Sequence, residues 1–159
     1  MQLESFVEVI EAARKSLARV IEQVPREKWE QAGPNGPWSL KDILAHIAWH
    51  EEGMIEICEK KDVVGSFWWT LPMQERNDNV YNQYKDTPLE DVLEFFETSH
   101  RRFLTALQSL TDDDLNDPTH FHDMPTDWLP WRMLANNTYE HYLRHMGQVV
   151  AIRRAANAG

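Results

Sequence analysis

The stretch "WSLKDILAHIAWHEEGMIEI", residues 38–57, decides the fold class that we predict for this chain. Ser39 is a favoured residue at the start of a helix, and Asp42, three positions later, can complete a capping box. The apolar residues that follow recur at helical spacing. The stretch therefore predicts a long amphipathic helix, which carries His46 and His50 one turn apart on one face.

Three further segments have the same helical periodicity, and no segment alternates as a strand would. Their apolar stripes run from Leu3 to Val24, from Leu89 to Leu110, and from about Pro130 to Ala156. Short and long connections between four such helices predict an all-α four-helix bundle. We expect one domain over residues 1–159, with a long aromatic crossover loop and a short extra helix in the later part of that loop.

The third long helix has a start signal of its own. Thr87 is predicted to cap it, Pro88 to take the first helical position, and Glu90 to complete a capping box. Further along, "TDDDLND", residues 111–117, predicts a capped turn, because it lacks the alternating acids and central glycine of a calcium loop.

Composition and charge exclude several classes of function. A formal net charge of −10 on 159 residues repels phosphate backbones and anionic membranes, so nucleic-acid binding is not expected. The single Cys58 excludes an internal disulfide and suits a reducing cytosol. We read no export signal and no membrane span, and we expect a cytoplasmic protein.

The last predicted helix contains "EHYLRHMGQVVAIRR", residues 140–154, in which His141 and His145 are also one turn apart. Both lie on the apolar stripe, where a polar ring needs a partner. Two interpretations remain open at this point. Each imidazole has its own local hydrogen-bond partner, or facing helices hold a divalent metal through several imidazoles. In the second helix, periodicity alone narrowly prefers His50 to His46 as the inward residue.

These two stretches resemble the second-helix and last-helix motifs of the DinB/YfiT-like superfamily of small four-helix bundles. The resemblance covers nearly the whole chain and implies a metal triad of His46, His141 and His145, with Zn²⁺ or Ni²⁺ as the cofactor. His50 then becomes a neighbour of the ligands rather than a ligand. The superfamily includes enzymes of thiol transfer and isomerisation, which implies detoxification of an electrophilic small molecule, with a low-molecular-weight thiol as a second substrate.

Within that superfamily, residues 71–115 look most like the ClbS/DfsB-like branch, named for a colibactin self-protection protein. Branch members that lack the three histidines act without a metal on a strained electrophilic ring. The resemblance therefore leaves open a metal-dependent hydrolase or S-transferase, a metal-independent protector that binds or hydrolyses a reactive natural product, and a non-catalytic dimeric bundle. Superfamily members are often dimers, so a homodimer is expected.

Several other side chains are candidates for the site. The predicted catalytic residues are Glu51, Glu140 and Tyr142, as bases or hydrogen-bonding groups. The predicted neighbours of the ligands or pocket residues are His50, His100, Trp49, Trp68 and Trp69. The aromatic loops "SFWWTLPM" and "DMPTDWLPW" are expected at the mouth of the bundle, lining a pocket or packing against each other. Arg76 and Asn77 are expected to hold the geometry of the first loop.

Overall fold

The computed structural model describes residues 1–34 and 36–158. The chain folds into helices joined by loops of varying length. The four long ones are α1 (Leu3–Ile21), α2 (Leu40–Lys60), α4 (Leu89–Leu107) and α7 (Tyr139–Ala158), and the shorter ones are α3 (Met73–Tyr84), α5 (Asp112–Asn116) and α6 (Pro130–Asn137). Two single 3₁₀ turns cover Arg26–Lys28 and Pro118–His120.

The long helices form the predicted bundle. α2 packs mainly against α4, and α1 packs mainly against α7, while α2 also faces α7. The described residues contain no strand, and their one β-type pairing is an isolated bridge between Asp62 and His122. The core is made of apolar side chains from all four long helices, among them Phe6, Ile10, Leu17, Ile43, Leu44, Ile47, Phe103, Leu107, Val149 and Ile152. The all-α prediction is confirmed.

α2 begins with the predicted capping box. The Ser39 hydroxyl accepts from the backbone N–H of Asp42, and the Asp42 carboxylate accepts from the backbone N–H of Ser39 at 2.8 Å. Two of the free N–H groups at the helix start are thereby satisfied. The same arrangement, between Thr111 and Asp114, starts the short α5 where a capped turn was predicted.

The predicted start of the third long helix is wrong by one residue. α4 begins at Leu89, because Pro88 has extended backbone angles (φ −54°, ψ 144°), and no side chain caps the helix. Lys41 of α2 donates to the backbone carbonyls of Lys85 (2.7 Å) and Thr87 (3.0 Å). These bonds hold the segment before α4 in a turn, so Thr87 cannot act as the cap.

The last predicted helix is two helices. α6 starts at Pro130 as predicted, but the backbone of Thr138 (φ −128°, ψ −103°) leaves the helical region before α7 begins. The Thr138 hydroxyl donates to the carbonyl of Leu134 at 2.7 Å, a local bond that bends helices. The extra helix expected late in the crossover loop is α3, and none of the described helices has the length and apolar character needed to cross a bilayer.

We predict that Ser39→Ala lowers the free energy of unfolding by about 1 kcal/mol, because α2 loses its N-cap acceptor. Urea denaturation at neutral pH measures the change. Ser16→Ala is the matched control, since the Ser16 hydroxyl only bonds back to the carbonyl of Ala12 within α1. Equal stability of the two variants would contradict the role of the capping box.

Candidate metal centre

Four histidines meet where α2 faces α7. His46 and His50 project from α2, and His141 and His145 project from α7, each pair at the spacing of about one helical turn. His46, His50 and His141 are buried, and His145 is partly exposed. Neighbouring ring centroids lie 4.4–4.8 Å apart. Both predicted pairs therefore belong to one cluster, which we call the histidine cluster (His46, His50, His141, His145).

The Nε2 atoms of two other rings lie close to the Nε2 of His141. His46 Nε2 lies 3.0 Å from His141 Nε2, which in turn lies 2.8 Å from His145 Nε2. Two nitrogens bound to one metal at about 2.0–2.1 Å lie about 2.9 Å apart at an angle of about 90° and about 3.4 Å apart at a tetrahedral angle. The observed distances are thus close to those between neighbouring ligands of a single ion.

Hydrogen bonding alone does not account for these contacts. The Nε2 of a neutral His141 carries either one proton or one lone pair, so it makes one strong hydrogen bond and not two. The Nδ1 atoms of His46 and His141 are buried and have no hydrogen-bond partner within the described residues. One cation between the three Nε2 atoms would accept all three lone pairs at once. The residues present therefore fit a divalent metal.

The fourth ring is held in a fixed orientation by Asn137, the last residue of α6. The Asn137 Nδ2 donates to the Met133 carbonyl at 2.9 Å, so its Oδ1 faces the cluster. Trp68 Nε1, which can only donate, lies 3.1 Å from that oxygen, and His50 Nδ1 lies 3.0 Å from it. Trp68 Nε1 also lies 3.3 Å from His50 Nδ1, but its contact with the Asn137 oxygen is shorter, and that oxygen can only accept. The shorter contacts therefore assign the proton to His50 Nδ1. Its Nε2 then carries a lone pair, and this buried atom has no partner in the described part of the chain.

Burial keeps the cluster neutral. Burial, with a smaller effect from the charges of neighbouring histidines and arginines, lowers the pKa of His46 to about 2. Burial also lowers the pKa of His50 to about 3, although the hydrogen bond to Asn137 opposes this shift. The pKa values of His141 and His145 are also lowered, again mainly by burial. A neutral imidazole is the form that binds a metal, so the cluster is in its ligating form at neutral pH.

The sequence left His46 and His50 as alternatives, and the structure brings both to the cluster. One ring nitrogen from each of His46, His50 and His141 lies within 4.8 Å of the other two, so this buried triad could hold a metal. His145 approaches from the same helix face as His141, as the resemblance implied. Which three or four rings bind an ion stays a prediction.

A cavity of about 820 Å³ opens onto the cluster. Its walls come from α2, α3, α6, α7 and the two aromatic loops. The residues that line it besides the four histidines are Trp68, Met73, Arg76, Asn77, Asp127, Trp128, Leu129, Arg132, Met133, Asn136, Asn137, Arg144 and Gln148. The cavity combines an apolar wall with polar side chains, as small-molecule sites do.

The predicted catalytic residues are not among the described residues that line this cavity. Glu51 is fully buried and accepts hydrogen bonds from the Tyr142 hydroxyl (2.5 Å), the Ser99 hydroxyl (2.5 Å) and Arg14 (3.2 Å). His100 joins the same group, with its Nδ1 3.2 Å from Glu51. This buried ion-pair network ties α1, α2, α4 and α7 together. Burial of the Tyr142 hydroxyl raises its pKa well above the usual value, and the nearby negative charge of Glu51 adds a smaller effect in the same direction.

Glu51, Tyr142 and Glu140 are not among the described residues that line the cavity. Their catalytic roles stay predictions, and the contacts of Glu51 and Tyr142 are those of a structural network. Of the predicted aromatic residues, Trp68 lines the cavity. Trp49 packs against Phe67 in a separate surface groove, and Trp69 packs against Trp128.

Sequence reasoning missed Asn137, Arg132 and Arg144. Asn137 lies four residues before His141, and Arg144 lies three residues after it, so helical spacing was the available signal. Arg76 was singled out for the geometry of its loop, and it does donate to the Leu71 carbonyl at 2.9 Å.

Gly53 of α2 makes room for Trp68. A Cβ on Gly53 would lie 2.9 Å from the Cβ of Trp68, whereas a Cβ on Gly147 of α7 would have no neighbour within 4 Å. We predict that Gly53→Ala displaces Trp68 and lowers the free energy of unfolding by about 1–3 kcal/mol, while the control Gly147→Ala raises it by up to about 1 kcal/mol. Urea denaturation of both variants checks this, and equal stabilities would show that Trp68 does not depend on the glycine.

Two solved structures have the same fold. The crystal structure of an uncharacterised protein from Escherichia coli UTI89 has a TM-score of 0.75 and 14% identity, and the alignment covers 98% of this chain and 95% of that chain. The sibling lethal factor precursor DfsB has a TM-score of 0.72 and 17% identity, covering 99% and 96%. No curated protein sequence matches the chain.

At these identities the structural likeness shows the fold alone, and the likeness to DfsB is consistent with the predicted branch. The sequence profile of the DinB superfamily matches residues 10–149, which is most of the chain. The predicted superfamily is confirmed, and the chain belongs to the DinB superfamily.

Proposed function

We propose that the protein binds one divalent metal in the histidine cluster and uses it to transform an electrophilic small molecule in the adjoining cavity. The observation that carries the proposal is the pair of contacts made by His141 Nε2, 3.0 Å from His46 Nε2 and 2.8 Å from His145 Nε2, which hydrogen bonds cannot satisfy together. Burial of the rings supports it, because unpaired polar atoms in an interior cost free energy unless a partner binds them.

In this proposal His46, His141 and His145 are the ligands. A metal held by these three imidazoles would keep coordination capacity for a substrate atom or a water. His50 presents its Nε2 lone pair to the same group and assists binding as an additional nitrogen. Imidazole ligands suit both Zn²⁺ and Ni²⁺.

When bound, such a metal supplies a Lewis acid that polarises a substrate oxygen or acidifies a water or thiol. The chain supplies the rest. Asn137 and Trp68 fix the tautomer of His50, and the aromatic side chains of Trp68 and Trp128 give an apolar body a surface to pack against. This combination supports hydrolysis of the electrophile or transfer of a thiol to it, in a detoxification or self-protection role.

A metal-independent protector and a non-catalytic dimeric bundle remain the competing proposals. Both would leave His141 Nε2 with two close nitrogen neighbours, although it can make one strong hydrogen bond. Metal content therefore separates the proposals before any substrate is known.

We predict near-stoichiometric Zn²⁺ or Ni²⁺ in protein purified without a histidine tag. His141→Ala removes the central nitrogen and should lower metal affinity by a factor of about 100 or more, while His50→Ala should lower it about 10–100-fold. Mass spectrometry of the metal and competition with a chelator measure both. His122→Ala is the matched control, because His122 is exposed on the loop after α5.

An empty wild-type protein that refuses added Zn²⁺ and Ni²⁺ would overturn the proposed metal-dependent function. So would wild-type affinity in the His141→Ala variant, provided that circular dichroism shows the variant to be folded.

We also predict how pH affects the metal-free protein. The folded-state pKa values of His46 and His50, about 2 and about 3, lie below the ordinary value of 6.5, so the unfolded chain binds more protons than the folded one below that pH. The free energy of unfolding should therefore fall as the pH falls, by roughly 1.4 kcal/mol per pH unit below about 6.5 for each such histidine.

Urea denaturation with chelator present, at about pH 7, 6 and 5, measures this fall. His50→Gln removes one titrating ring and should make the fall shallower than in the wild-type protein. The same slope in wild type and His50→Gln would contradict the burial of a neutral His50.

A further inference from the structure

The charge of the cavity is opposite to that of the whole chain. The chain carries a formal net charge of −10, yet the charged residues that line the cavity are three arginines and one exposed acid: Arg76, Arg132, Arg144 and Asp127. The arginines come from three different helices, α3, α6 and α7. Within the described residues, no carboxylate lies within 4.0 Å of any of the three, whereas Arg14, Arg26 and Arg102 have carboxylate partners. Arginines outside the cavity, such as Arg101, also lack such a partner among those residues, so what sets the three apart is that they line one cavity.

Arg76 is held in place with donor capacity to spare. Its guanidinium lies over the Trp68 ring at 4.5 Å, and its Nη2 donates to the Leu71 carbonyl at 2.9 Å. Its Nε is buried and has no hydrogen-bond partner in the described part of the chain. An acceptor oxygen brought by a ligand would satisfy this N–H, whose burial otherwise costs free energy.

The other two arginines of the cavity are exposed, and each guanidinium group has a contact with a residue of α6. Arg144, between the two histidines of α7, donates to the Asn136 carbonyl at 2.6 Å. Arg132 lies 5.3 Å from the Trp131 ring centroid.

We propose that the substrate carries an oxyanion, a carboxylate or a phosphate, which Arg76, Arg132 and Arg144 bind while its apolar body packs against Trp68 and Trp128. Guanidinium groups match the planar, paired oxygens of such anions, and a cluster of them without counter-charges attracts an anion into the cavity. This inference rests on the proposed function, because it names the substrate class of the same site.

The opposing explanation is that the arginines serve only packing, since two of them lie against tryptophans. A matched set of probes separates the two. The anions 1-naphthylacetate and 1-naphthyl phosphate share their ring system with the neutral amide 1-naphthylacetamide, so the three probes differ chiefly in charge.

Isothermal titration calorimetry of the metal-loaded and the chelator-treated protein tests the inference. We expect at least one of the anions to bind about tenfold more tightly than the amide. The anion that binds more tightly shows whether the site prefers a carboxylate or a phosphate. Added salt should weaken the binding of the anion and leave the binding of the amide unchanged. The double variant Arg132→Gln/Arg144→Gln should lose most of the preference, and Arg76→Lys should retain more of it than Arg76→Gln.

Arg101→Gln is the control, because Arg101 is an exposed arginine of α4 outside the cavity. The inference would be overturned by equal affinity for the anions and the amide, or by a preference for anions that survives loss of the arginines. It would also be overturned if neither anion binds at millimolar concentration. Metal content is measured on the same samples. Protein that takes up no added Zn²⁺ or Ni²⁺ but still prefers the anions would contradict only the proposed metal-dependent function. Metal-loaded protein without the preference would contradict only the substrate class.

Discussion

The structure depends on one constraint: four imidazoles share a buried space between α2 and α7, and their nitrogens cannot all satisfy one another. His141 Nε2 has two neighbouring Nε2 atoms at hydrogen-bond distance but can make one good hydrogen bond. Neutral rings at this density lose hydration without gaining equivalent bonds. A folded chain tolerates this arrangement if something binds the free lone pairs, and a divalent cation is the partner that suits three converging imidazoles.

The rest of the bundle keeps the histidine cluster in place and satisfies the other buried polar groups around it. Deeper in the fold, Glu51 neutralises Arg14 and bonds with Ser99, Tyr142 and His100, so the polar residues next to the cluster in sequence form a satisfied network of their own. Asn137 reaches the cluster because the chain breaks its helix at Thr138 and resumes as α7. The site is therefore assembled by the packing of helices, and the open side of the cluster becomes the cavity.

Local signals predicted much of this from the sequence. Periodicity and the Ser39–Asp42 box gave the bundle and the start of α2, and the one-turn spacing of the histidines gave two ring pairs on helix faces. Where the side chains of Glu51 and Tyr142 point was not predicted. Both adjoin histidines in sequence, but consecutive helical residues point about 100° apart, so both side chains face α4 and α1 rather than the cavity. Their catalytic roles stay predictions. The break at Thr138 and the meeting of three arginines from separate helices depend on tertiary packing, which no local pattern encodes.

X-ray absorption spectroscopy at the edge of the bound metal tests the central claim most directly, because it reports the atoms around the ion rather than its presence. The account predicts a first shell of nitrogen at about 2.0–2.1 Å, with the outer-shell scattering of at least three imidazoles. A first shell made mainly of oxygen, with scattering from one imidazole or none, would mean that the histidine cluster does not hold the ion.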